Sequence, residues 1–230
     1  MLSRLRDFAD QNGWYLTVEN LSSRIWLGVY SFLLARTFAV RRLEIEPFAY
    51  IRGVKHVRLG DNFRARRGLW LEAISQHEKI CYTPTIVIGS NVTLSQYVHI
   101  AATHMVQIGS NVLIGSRVLI SDHSHGNYSG PHSSPHLPPA VRPLTDDRSV
   151  TICDNVWLGD GVVVLPGVTI GYGSIVGANS VVARDIPPMT IAAGAPATPV
   201  KHFREDEGVW LHLPKGNDVG ANKMLRTWMK

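Results

Sequence analysis

The sequence predicts an all-β solenoid, with short parallel strands wound into a prism. Three observations predict it. Aliphatic residues recur every six positions: Ile88, Leu94 and Ile100, then Ile108, Ile114 and Ile120 after a two-residue slip, then Ile152, Leu158, Val164, Ile170, Val176 and Val182. The next residue is usually small, as at Gly89, Ala101, Gly115, Gly159 and Gly177. The third residue after the aliphatic is often Asn or Gly, as at Asn62, Asn91, Asn111, Asn155, Gly161, Gly167, Gly173 and Asn179. Amphipathic helices repeat every ~3.6 residues and flat strands every ~2. A period of six with Asn or Gly at fixed offsets fits neither. Asn and Gly accept the positive φ that a sharp corner requires. Three hexapeptides then make one coil, and successive coils lie ~4.8 Å apart, like neighbouring hydrogen-bonded strands.

The repeat divides the chain into three parts: an N-terminal helical segment over 1–44, the solenoid over 45–200, and a short C-terminal helix and tail over 201–230. Residues 25–40, "IWLGVYSFLLARTFAV", are the most apolar stretch. They fall short of the ~20 residues of a membrane span, and Arg36 interrupts them. They are expected to form a helix that packs on the body or on a neighbouring subunit. A peripheral membrane contact through residues 25–42 is the alternative, because Arg24, Arg41 and Arg42 flank the stretch.

The net charge of +5 is uneven: residues 1–70 hold 12 Lys/Arg against 6 Asp/Glu, and the rest hold 11 against 12. A basic N-terminal third suits anionic lipid or a phosphorylated substrate, with a solvated face as the plain alternative. No nucleic-acid partner is expected. Two cysteines cannot build a disulfide framework, and a cytoplasmic location is expected, at the inner face of the membrane if the apolar segment docks there.

The repeat stops at Ile120 and resumes at Ile152. Counting from Ile120 puts His123 at the third position, a corner. Residues 123–148 therefore leave the coil as a loop, rich in Pro, Ser and His. A long loop thrown from a rigid scaffold commonly carries function. It opens with "DHSHGNYSG", residues 122–130. His104, roughly one coil earlier, stands where Val is usual and is expected to face the same cleft.

The segment "DNVWLGDGVVVLPGVTIGYGSIVGANSVVARDIPPMTIAAGAPATPV" over 154–200 resembles the hexapeptide-repeat acetyltransferases, whose fold is a left-handed parallel β-helix. "DHSHGNYSG", followed by "PP" and Arg142, makes it similar to the branch that O-acetylates surface polysaccharides such as O-antigen, capsule and exopolysaccharide. The resemblance implies transfer of acetyl from acetyl-CoA to a sugar hydroxyl of a polysaccharide precursor, directly in a ternary complex and with no required metal. His123 matches the family's general base. Imidazole titrates near pH ~6.5, so a neutral fraction is ready to take the hydroxyl proton. His125 is the rival base, or it orients His123 or the acceptor. Asp122 either polarises His123 or caps a turn. His104, Asn127, Tyr128 and Arg142 are the acceptor-side candidates.

On the coenzyme side, Trp157 matches a tryptophan at the catalytic end of the coenzyme A tunnel. Gly159, Ala178 and Ala183 match small residues that let the pantetheine arm lie on the coils. Arg184 and Lys201 match basic positions that meet its phosphates. The family assembles as trimers with active sites between subunits, so a homotrimer is expected. Three other functions stay open at this point. They are N-acetylation of a nucleotide-linked amino sugar, a zinc carbonic anhydrase using His99, His104, His123 and His125, and a non-catalytic scaffold.

Overall fold

A computed structural model describes residues 2–128, 134–144 and 148–213. The chain is mostly β, and its strands are mainly parallel. Among the described residues three sheets dominate, of nine, six and five strands, here called A, B and C. The chain visits C, A and B in rotation. The strand Met105–Ile108 lies in sheet C, Leu113–Ile114 in A and Leu119–Ser121 in B. The next three, Val150–Ile152, Trp157–Leu158 and Val163–Val164, pair beside them in the same order.

The six-residue aliphatics point inward and stack. Ile88, Leu94, Ile100, Ile108, Ile114, Ile120, Ile152, Leu158, Val164, Ile170, Val176 and Val182 are all buried in one core. A second inward residue two positions before most of them, such as Val92, Val98, Val106 and Val112, fills the same core, and buried Ser174 and Ser180 take that place before Val176 and Val182. All eight Asn and Gly corner residues have φ between 57° and 80°, as the repeat requires. At the corner from C to A the asparagines form a ladder, Asn62 Nδ2 donating to Asn91 Oδ1 (2.9 Å) and Asn91 Nδ2 to Asn111 Oδ1 (3.0 Å).

Helix α1 spans Leu2–Phe38 and is broken at Gly13 (φ 82°, ψ 156°). Tyr30, Leu34 and Phe38, spaced by four, pack on the N-terminal end of the coil. Buried Ser31 receives the N–H of Ile45 at 3.1 Å, which ties the helix to the first strand. Trp26, Val29, Phe32 and Leu33 remain exposed. No helix among the described residues is long and apolar enough to cross a membrane.

The C-terminal expectation is corrected over the described part of 201–230. Residues 201–213 contain no helix: the strand Ala197–Arg204 runs antiparallel to Thr190–Gly194, and Val209–His212 extends it. Alternating residues on a terminal sheet edge satisfy the backbone groups there, which a helix would leave open. Residues 214–230 lie outside the described residues, as do 129–133 and 145–147 of the loop.

Two excursions leave the coil at the corner from B to C. One is the long loop. The other, not evident in the repeat count, is the hairpin of Gln76–His77 with Ile80–Cys81. They meet: Leu144 N–H donates to the Tyr82 hydroxyl at 2.9 Å, and Ile74, Ala101 and Leu144 form a small buried cluster with Tyr82 against it.

Candidate active site

Asp122 is fully buried. It continues the inward row of Ala73 and Ala102, which stand at the same place in the two preceding strands of sheet B. A carboxylate in an apolar row needs partners. Oδ1 receives Thr103 N–H at 2.9 Å and Thr103 Oγ at 3.3 Å, and Oδ2 receives His104 N–H at 2.8 Å. Thr103 and His104 are the two residues of the slip after Ile100. The slip turns two backbone N–H groups toward the carboxylate.

The same Oδ1 lies 2.9 Å from His123 Nδ1. An ionised carboxylate only accepts, so Nδ1 carries the proton and Nε2 is the basic nitrogen. The His123 side chain is only 10% exposed. Ser121 Oγ donates to the His123 carbonyl at 3.0 Å and lies 3.3 Å from Nδ1, so the turn itself orients the ring.

His125 is exposed and differently placed. Its ring meets His77 edge-on at 5.5 Å, its backbone bridges Leu144, and its carbonyl accepts the Tyr128 hydroxyl at 2.5 Å. Arg142 is buried within the loop. Nε and Nη2 donate to the Leu137 carbonyl (2.9 and 2.6 Å), and Nη1 donates to the Tyr128 hydroxyl (2.8 Å). Arg142 and Tyr128 thus brace the loop from inside. Asn127 is exposed near them, and His104 is exposed at the same corner as His123.

His99 stacks on Trp70 at 4.6 Å, and its Nε2 is buried with no hydrogen-bond partner among the described residues. Burial lowers its pKa; Glu72 opposes this and His123 adds to it. An unfolded chain therefore binds a proton at His99 before the folded one does. The stability from neutral His99 is fully present above pH ~6.5 and is lost as pH falls through the lowered value. Urea titrations at pH 5.5 and 7.5 should show a smaller stability loss on acidification in His99→Leu than in the wild type. Equal losses would reject the assignment. No three His, Cys, Asp or Glu side chains among the described residues are grouped to hold a metal, and His99, His123 and His125 each face different partners.

The coenzyme-side candidates divide. Trp157 is half exposed on the outside of sheet A, in register with Ile175, then Ile191, then Lys201. These three strand steps span ~14 Å at the usual strand spacing. Gly159 and Ala178 flank the corner from A to B beside this row. A Cβ on Gly159 would meet Ala178 N at 2.7 Å, so only glycine lets these coils close. Ala183 and Arg184 are exposed at the other edge, after Val181–Val182, two coils beyond Ser121 and Asp122. The corner from B to C is opposite sheet A. One chain therefore places His123, Ala183 and Arg184 on one edge, and Trp157, Gly159, Ala178 and Lys201 on the other side. Thr103 and the His77 hairpin escaped the sequence reading; the 17-residue gap from Leu71 to Ile88 was the available signal for the hairpin.

A family model, "Bacterial transferase hexapeptide (six repeats)", matches residues 149–184. Among curated proteins, "Putative lipopolysaccharide biosynthesis O-acetyl transferase WbbJ" of Escherichia coli K12 is 42% identical over 185 residues, 79% of this chain and 90% of that protein. Galactoside O-acetyltransferase of the same organism is 35% identical over 162 residues, 70% of this chain and 61% of that one. The crystal structure of AntD, an N-acyltransferase from Bacillus cereus in complex with dTDP and 3-hydroxybutyryl-CoA, shares the fold. Its TM-score is 0.59 at 18% identity, over 86% of this chain and 95% of that one. With its hexapeptide period, its rotating parallel sheets and this similarity, the chain belongs to the hexapeptide-repeat acyltransferases.

Proposed function

We propose that this protein is an acetyl-CoA-dependent O-acetyltransferase acting on a sugar hydroxyl of a surface-polysaccharide precursor, on a coil of left-handed sense. The observation that carries the chemistry is buried Asp122 bound to His123 Nδ1 at 2.9 Å, with Nε2 left as the base. The O-acetyl and polysaccharide parts rest on the relative that is 42% identical over 90% of its length.

The acceptor oxygen attacks the thioester carbonyl while its proton passes to His123 Nε2. The C–S bond then breaks, and the imidazolium returns the proton to the leaving thiolate. Asp122 holds the tautomer and balances the imidazolium charge. His125 holds the loop, and His104 and Asn127 meet the acceptor beside it. Tyr128 and Arg142 keep that loop in place.

Trp157, Gly159, Ala178 and Lys201 fit an extended pantetheine arm: an outward row, small corner residues and a cation at the far end. Acetyl-CoA supplies the activated acyl group there. Since His123 lies on the opposite side of its own prism, the base comes from a neighbouring copy, with Ala183 and Arg184 lining the same cleft from that copy. This requires a homotrimer. Light scattering should give three times the 25.4 kDa chain mass, and an active monomer would reject the arrangement. The outer face of α1, with Trp26 and Phe32 exposed between Arg24, Arg41 and Arg42, is proposed to rest on the inner membrane surface.

The deciding assay offers acetyl-CoA with hydroxyl-bearing and amino-bearing sugar acceptors and reads the products by mass spectrometry. The expected product is an ester that mild base removes. A base-stable amide alone would replace this reading with N-acetylation.

A further inference from the structure

Two of the three kinds of corner, C to A and A to B, differ in one respect. From C to A, the left-handed position is Asn62, Asn91, Asn111, Asn155 and Gly173 in successive coils. From A to B, the equivalent positions include Phe48 (φ 68°), Tyr97 (φ 58°) and Arg117 (φ 58°). Bulky side chains in this region are strained, and such strain gathers at functional sites. All three precede Gly159, with Gly68 at the same corner between Phe48 and Tyr97. Beyond Gly159 the same corner returns to Gly161 and Asn179. The preceding coil is adapted to Tyr97: a Cβ on Gly68 would come within 2.4 Å of the Tyr97 ring.

Tyr97 and Arg117 line a cavity of about 560 Å³ with Arg67, Gln96, Ser116, Glu46 and Asp160. The surrounding arginines are neutralised: Arg52 by Glu72 (3.0 Å), Arg64 by Glu44 (4.0 Å) and Arg66 by Glu46 (3.3 Å). The guanidinium groups of Arg67 and Arg117 have no carboxylate partner among the described residues. The cavity's own carboxylates are engaged. Glu46 accepts from Arg66 and from Arg67 N–H (2.7 Å), and Asp160 accepts Ser116 N–H (2.6 Å). Two uncommitted guanidinium groups with a phenol and an amide beside them form a fork for an anion with several oxygens.

Asp160 directly follows Gly159, where the proposed pantetheine row ends. The cavity therefore continues the donor track on its acyl side. Glu46 and Arg67 also line a second groove of about 720 Å³ with Trp26, Val29, Leu33 and Phe48. The strip along this corner thus runs from apolar, through cationic, to the acyl-transfer end.

We propose that Arg67 and Arg117 bind the diphosphate of a sugar diphosphate acceptor, with Tyr97 and Gln96 against the sugar. This deepens the acyltransferase reading and rests on its coenzyme track. A nucleoside diphosphate sugar and a lipid-diphosphate-linked sugar share this chemistry. The apolar groove beyond Arg67 gives a lipid chain a place that a nucleoside does not use.

The test is calorimetric titration of the full chain at saturating coenzyme A, which keeps the coenzyme's own diphosphate out of the reading. The probes are inorganic pyrophosphate, UDP-glucose and farnesyl diphosphate. At least one should bind, and Arg67→Gln and Arg117→Gly should each weaken it by about tenfold or more while coenzyme A affinity is kept. Glycine accepts φ 58° freely, so Arg117→Gly should melt no lower than the wild type. Tighter UDP-glucose assigns the nucleotide source, and tighter farnesyl diphosphate assigns the lipid source. No binding by any probe, or unchanged binding in both variants, overturns the proposal. Failure of coenzyme A to bind the wild type rejects the underlying coenzyme track instead, and the titrations without coenzyme then still decide the diphosphate site.

Discussion

Replacing His123 by alanine should lower turnover by about 10²–10⁴-fold and leave coenzyme A affinity within about twofold. The reason is positional. Among the described histidines His123 has a buried carboxylate on Nδ1, so its Nε2 is oriented and basic. In the proposed arrangement His123 meets the acceptor hydroxyl, while the pantetheine arm lies along Trp157, Gly159, Ala178 and Lys201, so coenzyme binding has little cause to change. His125→Ala is the paired control. His125 contributes its backbone to the loop, through the Leu144 bridge and the Tyr128 hydroxyl, and alanine keeps both. A milder loss in His125→Ala is expected. A larger loss there than in His123→Ala would transfer the role of base to His125. Single-turnover kinetics alongside calorimetry separates the two effects.

Asp122→Asn should cost nearly as much, about 10²–10⁴-fold, although residue 122 touches no substrate. An amide offers one acceptor oxygen where the carboxylate serves Thr103, His104 and His123 together. Whichever way it turns, its NH₂ faces a donor, so either the His123 tautomer or a backbone N–H loses its partner. The lost charge-assisted bonds cost about 1.5–3 kcal/mol each, and a chain of this size loses about 2–4 °C in melting temperature per kcal/mol. A purely structural role would lower the active fraction and leave the pH–rate profile in place. A positioning role changes the profile itself, because the imidazolium loses its counter-charge. Near-normal turnover with an unchanged profile would remove Asp122 from the mechanism.

Much of the fold was legible because a hexapeptide coil is built from local rules. Each aliphatic at the six-residue spacing is buried, and each Asn or Gly assigned to a corner has positive φ. These follow from backbone sterics and side-chain alternation within a few residues. Where the rule lapsed, the reading weakened. The hairpin at 76–81 is a second excursion whose strands are two residues each, too short to carry a pattern. A short helix is expected within 201–230, yet the strands up to Arg204 and over Val209–His212 pair antiparallel, because a terminal sheet edge nearby supplies hydrogen-bond partners that no local window contains.

The candidate site divides along the same line. The break after Ile120 placed His123 at a corner by the linear count, and the family resemblance of the stretch around Trp157 supplied the coenzyme candidates. The sequence left Asp122 undecided between a turn cap and a partner of His123. Its carboxylate is committed by Thr103 and His104, which are close only because one coil stacks on the next. The sequence also ran Trp157, Ala178, Ala183, Arg184 and Lys201 together as one set. Stacking separates them between two edges of the prism, and assigns Arg142 to the inside of the loop. By itself, then, the sequence determined the period, the corners, the core and the point where the chain leaves the coil, since these depend on residues within one turn. The tertiary structure alone decided which groups face one another, because contact between coils depends on register and on which face each residue occupies, and both are set by strands some 20 to 44 residues away.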